Sequence, residues 1–172
     1  VPRSLIPAVA LALALGGGGA AAQQDGSPFG GFKHDSSKPI EIVSDSLEVR
    51  QSGNLAIFEG TVEAAQDTLR LTADKVTVSY GEAEGDAETG AIRRMIAEGD
   101  VYLSNGSETA EGEWGEYDVE AGMVRMRGDV VLTQGGNAIQ GERLVIDMNT
   151  GTGRVEGRVR SIFSPSAQEG GN

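Results

Sequence analysis

The 172 residues predict a nearly all-β domain assembled from repeated strand units, and three observations carry that expectation. Apolar and polar residues alternate with period two in Leu69-Arg70-Leu71, Val76-Thr77-Val78-Ser79-Tyr80, Val101-Tyr102-Leu103 and Val124-Arg125-Met126, as in strands buried on one face. Glycine and asparagine punctuate the chain at Gly53-Asn54, Asn105-Gly106, Gly122, Gly135-Gly136-Asn137 and Asn149-Thr150-Gly151, as tight turns require. Two short patterns also recur in alternation along the chain. After residue 22 no stretch keeps apolar positions at helical spacing for long.

The N-terminus has a different character. Arg3 precedes an apolar run from Leu5 to Leu15, and Ala20, Ala21 and Ala22 follow a glycine stretch as a small-residue cleavage site. Residues 1–22 therefore read as a secretory signal peptide cleaved after Ala22, with a retained amphipathic anchor as the alternative. The run is shorter than the ~20 residues that a membrane-spanning helix needs. Residues 23–39, rich in Gly, Ser and Asp, read as a flexible leader in which His34 is a solvated linker histidine. Residues 164–172 read as a polar tail, which leaves 40–163 as the folded domain.

The first recurring pattern, small-acidic-x-apolar-x-apolar, opens at Ser44, Ala73 and Gly141, with a degenerate copy at Gly112. The second, charged-Gly-x-Val, places its glycines at Gly60, Gly99, Gly128 and Gly157. Successive copies lie 29, 39 and 29 residues apart for the first pattern and 39, 29 and 29 for the second, so one unit carries ten extra residues. Those fit the acidic stretch from Gly81 to Gly90, an inserted surface loop whose carboxylates lack the ligand spread of a calcium site.

Aligning the units stacks side chains into inward columns. One holds Val62, Val101, Val130 and Val159; a second Leu47, Val76 and Leu144; a third Val49, Val78, Tyr117 and Ile146. Leu69, Leu71, Leu103, Val124, Met126, Leu132 and Val155 join them by alternation. The four glycines of the second pattern, two residues before each valine, are expected to face inward and to mark bends. This lining is short of the bulky side chains that fill a sandwich, which permits an open apolar trough between the layers. In the degenerate unit Gly115 stands where a branched residue is expected; Trp114 either turns inward by a register shift or lies exposed at a contact surface.

Composition excludes several functions. The formal net charge of −12 makes nucleic acid a poor partner. Without cysteine there is no disulfide, thiolate metal site or thiol nucleophile, and one histidine completes no metal or triad cluster. No P-loop or G-x-S-x-G elbow occurs, so the expectation is no enzyme, no metal and no cofactor. Charge is divided along the chain: 19 acidic and 5 basic residues from Glu41 to Gly122 (net −14), against 4 acidic and 6 basic from Met123 to Phe163 (net +2). Arg125, Arg127, Arg154, Arg158 and Arg160 are candidates for contact with acidic partners or lipid phosphates, or are ordinary solvated strand charges.

The ordered Glu-Gly-x-Val and Ala-Asp-x-Val-x-Val units behind a signal peptide, with Ser44-Asp45 in the opening phrase, resemble the LptA/OstA-type periplasmic lipopolysaccharide-transport proteins over about Pro39 to Phe163. The resemblance implies an antiparallel jelly roll folded like a taco (β-taco), whose interior groove holds the acyl chains of lipid A. It implies a periplasmic carrier between inner and outer membranes, joined end to end by strand pairing to LptC-like and LptD-like partners, with a head-to-tail homo-oligomer also possible. Two other readings stay open. One is the periplasmic domain of a larger outer-membrane assembly protein, which expects a barrel after Phe163. The other is a structural β-solenoid or adhesin-like interaction protein with a closed, dry core.

Overall fold

The computed structural model describes residue 32, residues 37–82 and residues 90–164. The signal peptide, His34, most of the leader and of the acidic loop, and the tail after Ser164 lie outside the described residues. The elements are β1 (Glu41–Val43), β2 (Ser46–Arg50), β3 (Leu55–Gln66), β4 (Leu69–Tyr80), β5 (Ile92–Ser104), β6 (Glu108–Asp118), β7 (Met123–Gln134), β8 (Asn137–Asp147), β9 (Thr152–Glu156) and β10 (Arg160–Ile162). All ladders are antiparallel, and each long strand pairs with the next in sequence. Each 29-residue unit is thus a strand pair, up and back.

Local chemistry sets the turns. Between β5 and β6 the Asn105 side-chain oxygen accepts from the backbone N–H of Ser107 (2.9 Å) and Glu108 (2.7 Å), so the loop closes on itself. Between β8 and β9 the Asp147 carboxylate accepts from the N–H of Asn149 (2.9 Å) and Thr150 (3.2 Å). Those N–H groups, that of Thr150 foremost, hold its carboxyl below the usual aspartate range.

A row of β-bulges folds the single sheet on itself. β3, β5 and β7 each carry one residue more than their partners in the middle of the ladder, between Glu59 and Val62, Glu98 and Val101, and Arg127 and Val130. There Gly60-Thr61, Gly99-Asp100 and Gly128-Asp129 take positive φ in pairs, and Gly157-Arg158 repeats this between β9 and β10. A bulge bends its strand, and aligned bulges bend the sheet along a line. β1 with β2, and β9 with β10, are therefore the two arms of bent edge strands. No ladder among the described residues joins those edges, so the sheet stays open.

The glycines of the second pattern do not face inward as expected. The extra bulge residue shifts the parity, so Gly60 and Val62 no longer share a face. A Cβ on Gly60, Gly99, Gly128 or Gly157 would lie 2.8, 2.9, 2.6 or 2.6 Å from the Cβ of Asp45, Asp74, Glu113 or Glu142, all exposed. The acid of the first pattern thus sits over the glycine of the second on the neighbouring strand. The two sequence patterns are the two halves of one corner.

Candidate functional site

The two arms face each other across an apolar interior. In one arm the register aligns Leu47, Phe58, Val76, Ala97, Gly115, Met126, Leu144 and Val155, strand by strand. A parallel column runs Val49, Ala56, Val78, Met95, Tyr117, Val124, Ile146 and Gly153. The opposite arm contributes Ile42, Ala64, Leu71, Leu103, Ala110, Leu132 and Ile139. Beside the bulge the two arms approach closely: a Cβ on Gly115 would meet Val101 Cγ1, just past the corner on the neighbouring strand, at 3.3 Å.

Depth varies along these columns. Val62, Leu69, Val76, Val78, Val101, Leu103, Val124, Met126, Val130, Leu132, Leu144 and Ile146 are buried, while Leu71, Tyr117 and Val155 are half-buried and packed against the core. Leu47, Val49 and Val159 depart from the expected buried lining, at 56%, 65% and 51% exposed. Leu47 and Val49 keep the inward register, but they lie on β2, an edge strand that pairs with β3 alone among the described residues. Val159 falls in the gap between β9 and β10, at the other open edge.

Between the arms lies an apolar cavity that opens to solvent. Its wall includes Ile40, Ala64, Leu69, Leu71, Met95, Ala97, Val101, Leu103, Val124, Met126 and Met148, with Gln66, Glu116 and Tyr117 as its polar members. Burial withdraws water from the Tyr117 phenolate and pushes its pKa above the ordinary tyrosine value. Near the corners the interior is filled, since Val76, Val78, Val130, Leu144 and Ile146 have no exposed surface. The space opens where Ala97 and Gly115, beside the β5 bulge, replace bulk in the column that also holds Val76 and Leu144.

Several of these residues escape sequence reading. Ala64, Ala97 and Ala110 look unremarkable until the register puts them opposite Leu71, Gly115 and Leu132. Met95 sits beside Ile96, so alternation cannot say which of them faces in. Phe32, in the stretch read as a flexible leader, is fully buried in the apolar cluster. Glu108 is 1% exposed, accepts a 2.5 Å hydrogen bond from Gln134 Nε2, and has Asn105 Nδ2 at 3.4 Å. Neither carried a pattern that would have singled it out.

The outer face mixes charged side chains with Ile57, Ile96, Val131 and Val145. Trp114 lies in the outward column between Glu98 and Arg127, and the Arg127 guanidinium stacks 3.8 Å from its ring centroid. No register shift turns Trp114 inward. Arg125 pairs across strands with the half-buried Glu116 (3.7 Å), and Arg154 pairs with Glu156 two residues along β9 (3.8 Å). Arg158 and Arg160 are exposed at the last edge. Among the described residues no group of His, Asp and Glu is arranged to hold a metal ion.

Residues 41–152 match the family described as LptA/(LptD N-terminal domain) LPS transport protein. The chain belongs to that family. An uncharacterised protein of Rhizobium meliloti (strain 1021) is 35% identical over 116 residues, covering 62% of each chain. The lipopolysaccharide export system protein LptA of Escherichia coli (strain K12) is 37% identical over 54 residues, 31% of this chain and 29% of that one. The chain thus spans less than two thirds of the length of these curated relatives. Among solved structures, LptH, the LptA-homologous periplasmic component of the lipopolysaccharide transport device of Pseudomonas aeruginosa, superposes with a TM-score of 0.65 at 21% identity. That match covers 76% of this chain and 99% of LptH, and it places this LptA-type chain in the same open, bent-sheet fold.

Proposed function

We propose that this LptA-type chain is a periplasmic lipopolysaccharide carrier that shields lipid A acyl chains between its two arms on the way from the inner to the outer membrane. The observation that carries the reading is the apolar cavity between the arms of an open sheet. Burying a methylene stabilises by about 0.8 kcal/mol, so one twelve-carbon chain gains at most ~9 kcal/mol before ordering losses. That is enough to hold a lipid out of water without any catalytic group. The unpaired backbone of β1–β2 and of β9–β10 suits end-to-end strand pairing with LptC-like and LptD-like domains or a second copy. The filled interior along the corners is what favours the alternative of a structural protein with a dry core.

Site-specific photo-crosslinking separates the two. A photoreactive residue at Leu103 or Tyr117, in the cavity wall, is expected to label lipopolysaccharide, whereas one at Tyr102 or Thr77, on the outer register, is not. Labelling from neither pair favours the dry-core reading. Labelling from Tyr102 and Thr77 alone overturns the assignment of the inner face.

A further inference from the structure

Among the described residues, the largest fully buried side chain does not belong to the sheet. Phe32 has no exposed surface and sits in one apolar cluster with Ala64, Leu69, Met126 and Met148, which also line the cavity. The sheet's own inner columns hold Ala64, Ala97, Ala110 and Gly115 at their middle strands, so the interior has room that its strands do not fill. Nearer β1, Gln66 Nε2 donates to the Lys38 carbonyl at 2.9 Å, and Ile40 lines the cavity. The approach to β1 therefore runs along the cavity rim. In residues 23–39 the only large apolar side chains are Phe29 and Phe32, amid Gly, Ser, Asp and Gln.

We propose that Phe32 is a built-in occupant of the apolar interior, a tethered stand-in for hydrocarbon that incoming lipid displaces. This rests on the carrier reading and adds how the empty groove is kept from water. A tethered occupant lowers the apparent affinity for lipid by the fraction of time that the interior stands open. The burial of one phenylalanine side chain sets that reduction at about 10- to 100-fold. It also gives the cargo a competitor at the moment of release, which suits a protein that must hand lipid on. A core residue that merely staples the fold would instead stay in place when lipid binds.

The chain has no cysteine, so Phe32→Cys supplies a single thiol. Its modification by a water-soluble maleimide is expected to be slow in the lipid-free protein and at least tenfold faster at saturating lipopolysaccharide. Val130→Cys, on the filled side of the core, is expected to stay protected in both states. Phe32→Gly is expected to bind lipopolysaccharide and a fluorescent lauroyl probe about 10- to 100-fold more tightly than wild type. An unchanged labelling rate while lipopolysaccharide demonstrably binds overturns the stand-in and leaves the carrier reading intact. So does a Phe32→Gly protein that melts earlier and binds no better; if that variant does not fold, the labelling arm decides. Absence of lipopolysaccharide binding by both wild type and Phe32→Gly sinks the carrier reading, and this one with it.

Discussion

At each corner the second positive-φ residue carries a side chain, and its identity decides how much strain the bend stores. Asp100 and Asp129 occupy that position in two corners, with φ of 41° and 45°. Short polar side chains tolerate the left-handed region. Thr61 holds the same place at φ 43°, where a β-branched side chain crowds its own backbone. Thr61→Asn is therefore expected to raise stability by about 1 kcal/mol, read as a higher denaturation midpoint at unchanged slope. A midpoint equal to or below that of wild type would mean that the bulge carries no such strain. The Gly-x-Val spacing was visible in the sequence, but the parity change was not. An inserted bulge residue flips the facing of its neighbours, and alternation counts straight through it.

Within the strands, facing and depth are separate properties. Leu47 and Leu144 stand in the same inward column, yet Leu144 has no exposed surface and Leu47 is 56% exposed. Truncating Leu144 to Ala leaves a cavity in a packed layer and is expected to cost about 2–5 kcal/mol. Leu47→Ala removes a side chain that is still half in water, with an expected loss under ~1 kcal/mol. Urea melts of the two variants test this, and comparable losses would mean that the first edge is covered in solution. Period two reveals which residues share a face, because successive side chains must alternate. It does not reveal which strand is last, and only an edge strand leaves inward residues uncovered.

For the molecule as a whole, the two open edges differ in charge. The β1–β2 edge carries Glu41, Asp45 and Glu48 with Arg50, whereas the β9–β10 edge carries Arg154, Arg158 and Arg160 with Glu156. Opposite signs at opposite ends favour head-to-tail over head-to-head docking. If end-to-end pairing follows this polarity, the double reversal Arg158→Glu, Arg160→Glu should weaken association and flatten its dependence on salt. Sedimentation at two ionic strengths measures both, and unchanged behaviour would separate docking from charge. The candidate groove is likewise a property of the whole. Its wall combines residues from β3 through β7 and from both arms, brought together only because the bulges align.

The one-dimensional pattern was enough for the strand class, the turns and the recurring unit, because alternation, glycine placement and motif spacing all act over a few residues. It also marked Val76 and Val78 as inward, since each stands mid-strand with polar neighbours on both sides, and Leu144 and Ile146 through their equivalent places in the repeat. Three-dimensional packing decided the rest: that the sheet bends along its bulges, that Trp114 faces out, that Leu47, Val49 and Val159 lie at uncovered edges, and that Phe32 fills space the sheet leaves. Each of these depends on what lies beside a residue on other strands, and contacts between residues distant in sequence leave no local periodicity to read.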